Sequence, residues 1–124
     1  MLDNWARRHG WYVDFAWDPG TPPLPKEAPI ALYRTLHEAL TNVARHSTAK
    51  KVKVLAGYDR EKLEFILIVE NDGVREAKAV SPSLGLTGIR ERIGNLNGRV
   101  RWSTDKESFV LTCFLPVENL PNVT

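Results

Sequence analysis

Four polar residues in one short stretch of the 124-residue chain have the types needed to hold a metal ion and a polyphosphate. They are Glu38, Asn42, Arg45 and His46, in the segment HEALTNVARHS at residues 37–47. On a helix, at about 100° per residue, they fall between about 180° and about 280° from Leu36. A carboxylate, an amide oxygen, a guanidinium and an imidazole then share one stripe. Magnesium bound to polyphosphate takes hard oxygen ligands and favours cationic neighbours. Glu38 and Asn42, one turn apart, can offer oxygens to one ion or its waters, and Arg45 can pair with a phosphate oxygen. Any amphipathic helix has a polar face, so the spacing alone does not decide. His46 has a second use as a cap on the helix end.

Two glycine turns come later. Asn71-Asp72-Gly73 follows an apolar run. Glycine there permits a tight turn and the close approach of a flat ligand. Read by itself, the triplet is a turn signal. In SLGLTGIRERI, residues 83–93, Gly85 and Gly88 open a second helical pattern. Backbone N–H groups at a helix start favour phosphate, and glycine keeps side chains out of the way. Turns and close packing are the other use of these glycines. Arg90 and Arg92 read as solvated surface.

The elements that must position these groups follow from periodicity. Residues 27–46 read as a helix, because Leu32, Leu36, Ala39, Leu40 and Val43 fall within about 100° of one another. Residues 2–9 read as a short helix, broken by Gly10. Trp11, Val13, Phe15 and Trp17 alternate with Tyr12, Asp14 and Ala16, which predicts a strand. The Pro- and Gly-rich residues 18–29 form an extended connection.

Two strands are expected at about 50–58 and 62–70. The second, LEFILIVE, is nearly continuous in apolar residues and reads as buried on both faces. Residues 72–84 read as a mobile loop. The second helix spans about 86–97, with Leu86, Ile89, Ile93 and Leu96 on one face and Gly98 as its stop. A last hairpin covers about 99–104 and 108–115. This order predicts an α+β fold, a two-layer sandwich with mainly antiparallel strands and both helices on one face. No GxxxxGK[ST] or GxGxxG motif is present, and the order does not suit a doubly wound nucleotide fold.

Composition sets outer bounds. The chain is 43% hydrophobic and 26% charged, with room for one domain and one moderate core. Its net charge of +2, from 17 basic and 15 acidic residues, demands neither nucleic acid nor an anionic membrane. The single cysteine, Cys113, excludes an internal disulfide and a multi-cysteine zinc site, and reads as a small core residue. No apolar stretch is long enough for a membrane span.

The pattern E-x-x-x-N-x-x-R-H of residues 38–46 resembles the N box of sensor histidine kinase ATP-binding domains, members of the Bergerat-type (GHKL) ATPases. The longer string LYRTLHEALTNVARHSTAKKVKV resembles the subfamily whose response regulators are of the nitrate-regulator type. The likeness covers roughly residues 10–117. It implies Glu38 and Asn42 at a magnesium ion, Arg45 and His46 near the phosphates of ATP, and Glu38 as a general base.

Asn71-Asp72-Gly73 stands where the family has its adenine-binding D-x-G box. Asn71 aligns with the family's aspartate and keeps an acceptor oxygen, Asp72 is one place late, and Arg75 replaces a second glycine. Gly85, Leu86, Thr87 and Gly88 match the next box. Ser108 stands where a threonine usually touches adenine, and Glu107 replaces a glycine.

The resemblance further implies transfer of the γ-phosphoryl to a histidine on a separate dimerisation domain, which is absent from this chain, with a response regulator downstream. ATP is expected between the two helices, covered by residues 73–84 as a lid. Residues 1–10 read as linker or helix from that upstream domain, 11–117 as the ATP-binding domain and 118–124 as a tail. A cytoplasmic location is implied, within a parent protein that can be membrane-anchored. A degenerate, non-catalytic module and an anti-sigma-type serine kinase of the same fold are the alternatives.

Overall fold

The computed structural model describes residues 2–74, 86–105 and 107–117. Along the chain run α1 (Leu2–His9), β1 (Tyr12–Trp17), α2 (Ala28–His46), β2 (Lys51–Asp59), β3 (Glu64–Asn71), α3 (Leu86–Gly94), β4 (Arg99–Asp105) and β5 (Ser108–Pro116). The strands form one sheet in the order β1-β2-β3-β5-β4. All neighbours are antiparallel except β1 and β2, which α2 joins as a crossover and which run parallel. The expected α+β sandwich with a mixed, mainly antiparallel sheet is therefore the observed fold.

Strand alternation selects the side that the helices cover. Val52, Val54 and Ala56 of β2, Phe65, Leu67 and Val69 of β3, and Leu111, Cys113 and Leu115 of β5 form one core with Ala39, Leu40 and Val43 of α2 and Leu86, Ile89 and Ile93 of α3. Full burial of a side chain such as Leu40 or Ile93 contributes about 1.5–3 kcal/mol. Cys113 belongs to this core, where burial pushes its thiol pKa up to about 12. The residues between them point to the other face, which no element among the described residues covers.

That open face corrects the reading of β3. Its burial alternates, with Ile66 and Ile68 only half-buried between fully buried neighbours. The strand is apolar on both sides but buried on one. β1 departs in the same way. Trp11 reaches the core, stacked on Trp5 of α1 at 5.9 Å between centroids. Phe15 and Trp17 are 51% and 50% exposed, because β1 is an edge strand and α1 covers only its start.

The helix ends have local causes. Pro29 lies in the first turn of α2, where a missing N–H has no helical partner to lose. At the other end Ser47 turns extended; its N–H and its hydroxyl both donate to the Val43 carbonyl, at 3.2 and 2.7 Å. α3 stops at Gly94, three residues before the predicted end. The left-handed residue is Asn97, at φ 63°, while the Gly98 N–H bonds back to Ile93 O at 2.9 Å. Gly98 is needed for space, since a Cβ there would overlap the Phe114 carbonyl and press on Ile93 and Leu115.

Thr35 is fully buried on α2, and its hydroxyl has no hydrogen-bond partner among the described residues. Leaving such a group unpaired costs about 1–3 kcal/mol. Thr35→Val keeps the shape and removes the hydroxyl, so it is expected to stabilise the fold by about 1 kcal/mol. The measurement is urea unfolding, where the midpoint should rise at an unchanged slope. A lower midpoint would show that the hydroxyl is bonded in solution.

Candidate functional site

The polar stripe of α2 lies between two depressions. On its inner side is a small cleft. Its walls come from Ala39, Asn42, Val43, His46 and Ser47 at the end of α2, Val69 and Asn71 on β3, Val74 just after it, Leu86 at the start of α3, and Phe109 and Leu111 on β5. On the outer side is an open groove lined by Tyr33, Arg34, His37, Glu38, Thr41, Asn42, Arg45 and Arg92. Asn42 borders both. An apolar slot with a few polar groups suits a flat, mostly apolar ligand. The groove gathers the charges.

Several expected residues thus come together. Asn42, His46, Asn71 and Leu86 share the cleft, and Glu38, Asn42 and Arg45 share the groove. Gly88 lies against Glu38, for a Cβ on it would sit 3.4 Å from Glu38 Oε1. Thr87 is exposed in the first turn of α3. Ser47 takes the helix-end cap position, and His46, in the last turn of α2, lines the cleft.

Asn71 is buried at 3% exposure, and its amide nitrogen donates to the Asp72 carbonyl at 2.9 Å. That commits the donor side of the amide and leaves the oxygen as the acceptor an exocyclic amine would need.

Other expectations are corrected. Asp72 and Ser108 are not brought to the cleft. They line a second groove, with Glu70 and Lys51, which Asn71 also borders. Strand parity is the reason: Asn71 and Phe109 are paired and face inward, so the residue beside each faces away. The Asp72 carboxylate accepts the N–H groups of Lys50 and Lys51 at 2.7 and 3.0 Å and so holds the start of β2. Burial pushes its pKa up, but those backbone bonds and the Lys51 charge outweigh it and leave the carboxyl below its ordinary value.

Gly73 makes close backbone contacts. Its φ is +73°, and a Cβ on it would lie 2.6 Å from the Thr48 carbonyl. Its own carbonyl accepts the Thr48 N–H at 2.9 Å, and Ser47 pairs with Val74 beside it. The triplet is a brace between the end of β3 and the end of α2. Gly85, Arg75 and most of the expected 73–84 lid lie outside the described residues.

Two arginines read as solvated surface have partners. Arg90 lies over the Trp102 ring at 4.7 Å. Arg92 Nη1 donates to Glu38 Oε2 at 2.8 Å. Phe109, Val69 and Val74 were not anticipated as cleft walls. For Phe109 the signal was present, since an inward Leu111 fixes the parity of its strand.

Solved structures with this architecture include the catalytic domain of the histidine kinase ThkA, at TM-score 0.75 and 16% identity, covering 93% of this chain and 84% of that one. The histidine kinase domain of the E. coli osmosensor EnvZ aligns at TM-score 0.66 and 22% identity, over 99% of this chain and 88% of that one. The fold is that of histidine kinase catalytic domains.

Sequence relatives carry the assignment from fold to family. The sensor histidine kinase LiaS of Bacillus subtilis is 31% identical over 98 residues, 79% of this chain and 27% of LiaS. DegS of Brevibacillus brevis, a signal transduction histidine-protein kinase/phosphatase, is 30% identical over 93 residues, 73% of this chain and 24% of its own length. The sensor histidine kinase DesK of Bacillus subtilis is 38% identical over 74 residues, 56% of this chain and 19% of DesK. The chain belongs to the sensor histidine kinase family. It spans about a quarter of the length of the first two relatives. No family model matches it.

Proposed function

We propose that this chain binds Mg-ATP and donates the γ-phosphoryl group to a histidine on a separate dimerisation domain, as the catalytic domain of a two-component kinase. The observation that carries this reading is Asn42, which borders both an apolar cleft and a polar groove containing Glu38 and Arg45. Bound ATP supplies the phosphoryl group, and magnesium offsets its charge.

The residues present fit such a ligand. Val69, Val74, Leu86, Phe109 and Leu111 give the base apolar walls, and the Asn71 oxygen accepts from its amine. Glu38 and Asn42 offer two oxygens to the ion. Among the described residues, no group of three or more His, Cys, Asp or Glu could hold a metal by itself. Two protein oxygens suit magnesium, which keeps waters and shares phosphate oxygens. Arg45 and His46 stand beside the phosphates, as do the first-turn N–H groups of α3 at Leu86, Thr87 and Gly88. Glu38 acts as base or orienter toward the attacking imidazole.

On this reading residues 1–10 lead from the helical domain that bears the accepting histidine, and a response regulator takes the phosphoryl group from there. The location is cytoplasmic. No helix among the described residues is long and apolar enough to cross a membrane. Asn71, in place of an acidic residue, favours a second reading as a binding module that has lost transfer.

Calorimetric titration of ATP, with magnesium and with chelator, tests the proposal. Affinity is expected to be at least about tenfold higher with magnesium, or ~1.4 kcal/mol. Equal affinities would count decisively against it.

A further inference from the structure

Resting on that reading of the site, we infer that Arg92 is a positioning residue, which fixes the Glu38 carboxylate so that one oxygen faces the cation. The pair joins α2 to α3 across 54 positions of sequence, with Arg92 Nη1 on Glu38 Oε2 at 2.8 Å. Both side chains are about one-third accessible, at 29% and 30%.

The other carboxylate oxygen, Oε1, faces Gly88. A Cβ at Gly88 would lie 3.4 Å from Oε1 and 3.6 Å from both Oε2 and Arg92 Nη2. Gly88 and Arg92 are four apart on α3, hence on one face. That face therefore leaves space without a side chain beside the carboxylate, while its guanidinium holds one of the two oxygens.

A free glutamate samples many rotamers, and each must be lost when it ligates an ion. A planar guanidinium holding one oxygen removes that freedom beforehand without covering the second. The same groove contains Arg45, so a second guanidinium is available to the phosphates while Arg92 stays on Glu38. Arg92 thus acts through Glu38 rather than on the nucleotide.

The experiment measures ATP affinity of this chain, with magnesium and with chelator, for wild type, Arg92→Gln, Arg92→Lys, Glu38→Gln and the Arg92→Gln/Glu38→Gln double variant. Melting temperature is recorded for each to confirm folding. Arg92→Gln is expected to reduce the magnesium-dependent gain by about tenfold, the scale of lost outer-sphere partners. Its affinity without magnesium should stay within about twofold of wild type, since no phosphate contact is lost.

Arg92→Lys should recover part of the gain. On Glu38→Gln, the Arg92 change should have no further effect, a coupling that a merely structural role would not produce. Three results would overturn the inference alone: an unchanged gain in Arg92→Gln, an equal loss with and without magnesium, or additive effects in the double variant. A wild type with no magnesium-dependent binding would overturn the site reading and this inference together.

Discussion

Asn42→Ala is expected to abolish the magnesium-dependent part of ATP binding while leaving the domain folded. Alanine has the highest helix propensity, so the α2 backbone tolerates it. What disappears is an amide oxygen at the junction of cleft and groove. With Asn42 gone, Glu38 is the remaining protein oxygen proposed for the ion. The gain on adding magnesium, at least about tenfold in the wild type, should then be lost. Binding in chelator should persist, carried by the apolar walls and Asn71. The four-way comparison of wild type and variant, with and without magnesium, reads this directly. A variant that keeps its full magnesium response would remove Asn42 from the site.

The largest expected change in stability is at Gly73. Gly73→Ala should destabilise the fold by about 3 kcal/mol, from left-handed strain and from overlap with packed backbone. The overlap is with the Thr48 carbonyl and the Ala49 nitrogen, 2.6 and 2.7 Å from the Cβ position. These are main-chain atoms and cannot swing aside as a side-chain tip can. Three kcal/mol is a large share of the roughly 5–15 kcal/mol that a domain has. Gly73→Asn separates the causes, because asparagine tolerates the left-handed conformation but carries the same Cβ. Chemical unfolding should find the two variants nearly equal if close approach dominates, and asparagine clearly milder if φ does. Wild-type stability in both would mean that the Gly73–Thr48 brace does not exist in solution.

The parts of the molecule set by local periodicity were legible in the sequence. The buried face of α2, the alternation of β2 and the helical start at Leu86 each depend on residues a few positions apart. Glu38, Asn42, Arg45 and His46 were legible as one polar stripe because a single helix carries them.

What depends on partners distant in sequence was not. Ile66 and Ile68 look like core residues until the sheet is seen to have one face that no described element covers. Ser108 and Phe109 exchange roles because hydrogen bonding to β3, rather than composition, fixes which of them points inward. Arg92 carries no local sign of its bond to Glu38, since nothing in an exposed-looking arginine names a carboxylate 54 positions away. Gly73 was recognised as necessary, but the backbone it makes room for belongs to Thr48 and Ala49.

The strand order has a consequence for how the domain is assembled. β5, the last strand in chain order, lies between β3 and β4, and β4 has no other partner in the sheet. Until β5 has been synthesised, β3 exposes an unpaired edge and β4 has nothing to join. β1, β2 and β3 can pair as they emerge. The other side of the sheet must wait for residues 108–116 and close on β3 in a late, non-local step, the kind that slows folding and leaves a sticky edge exposed meanwhile.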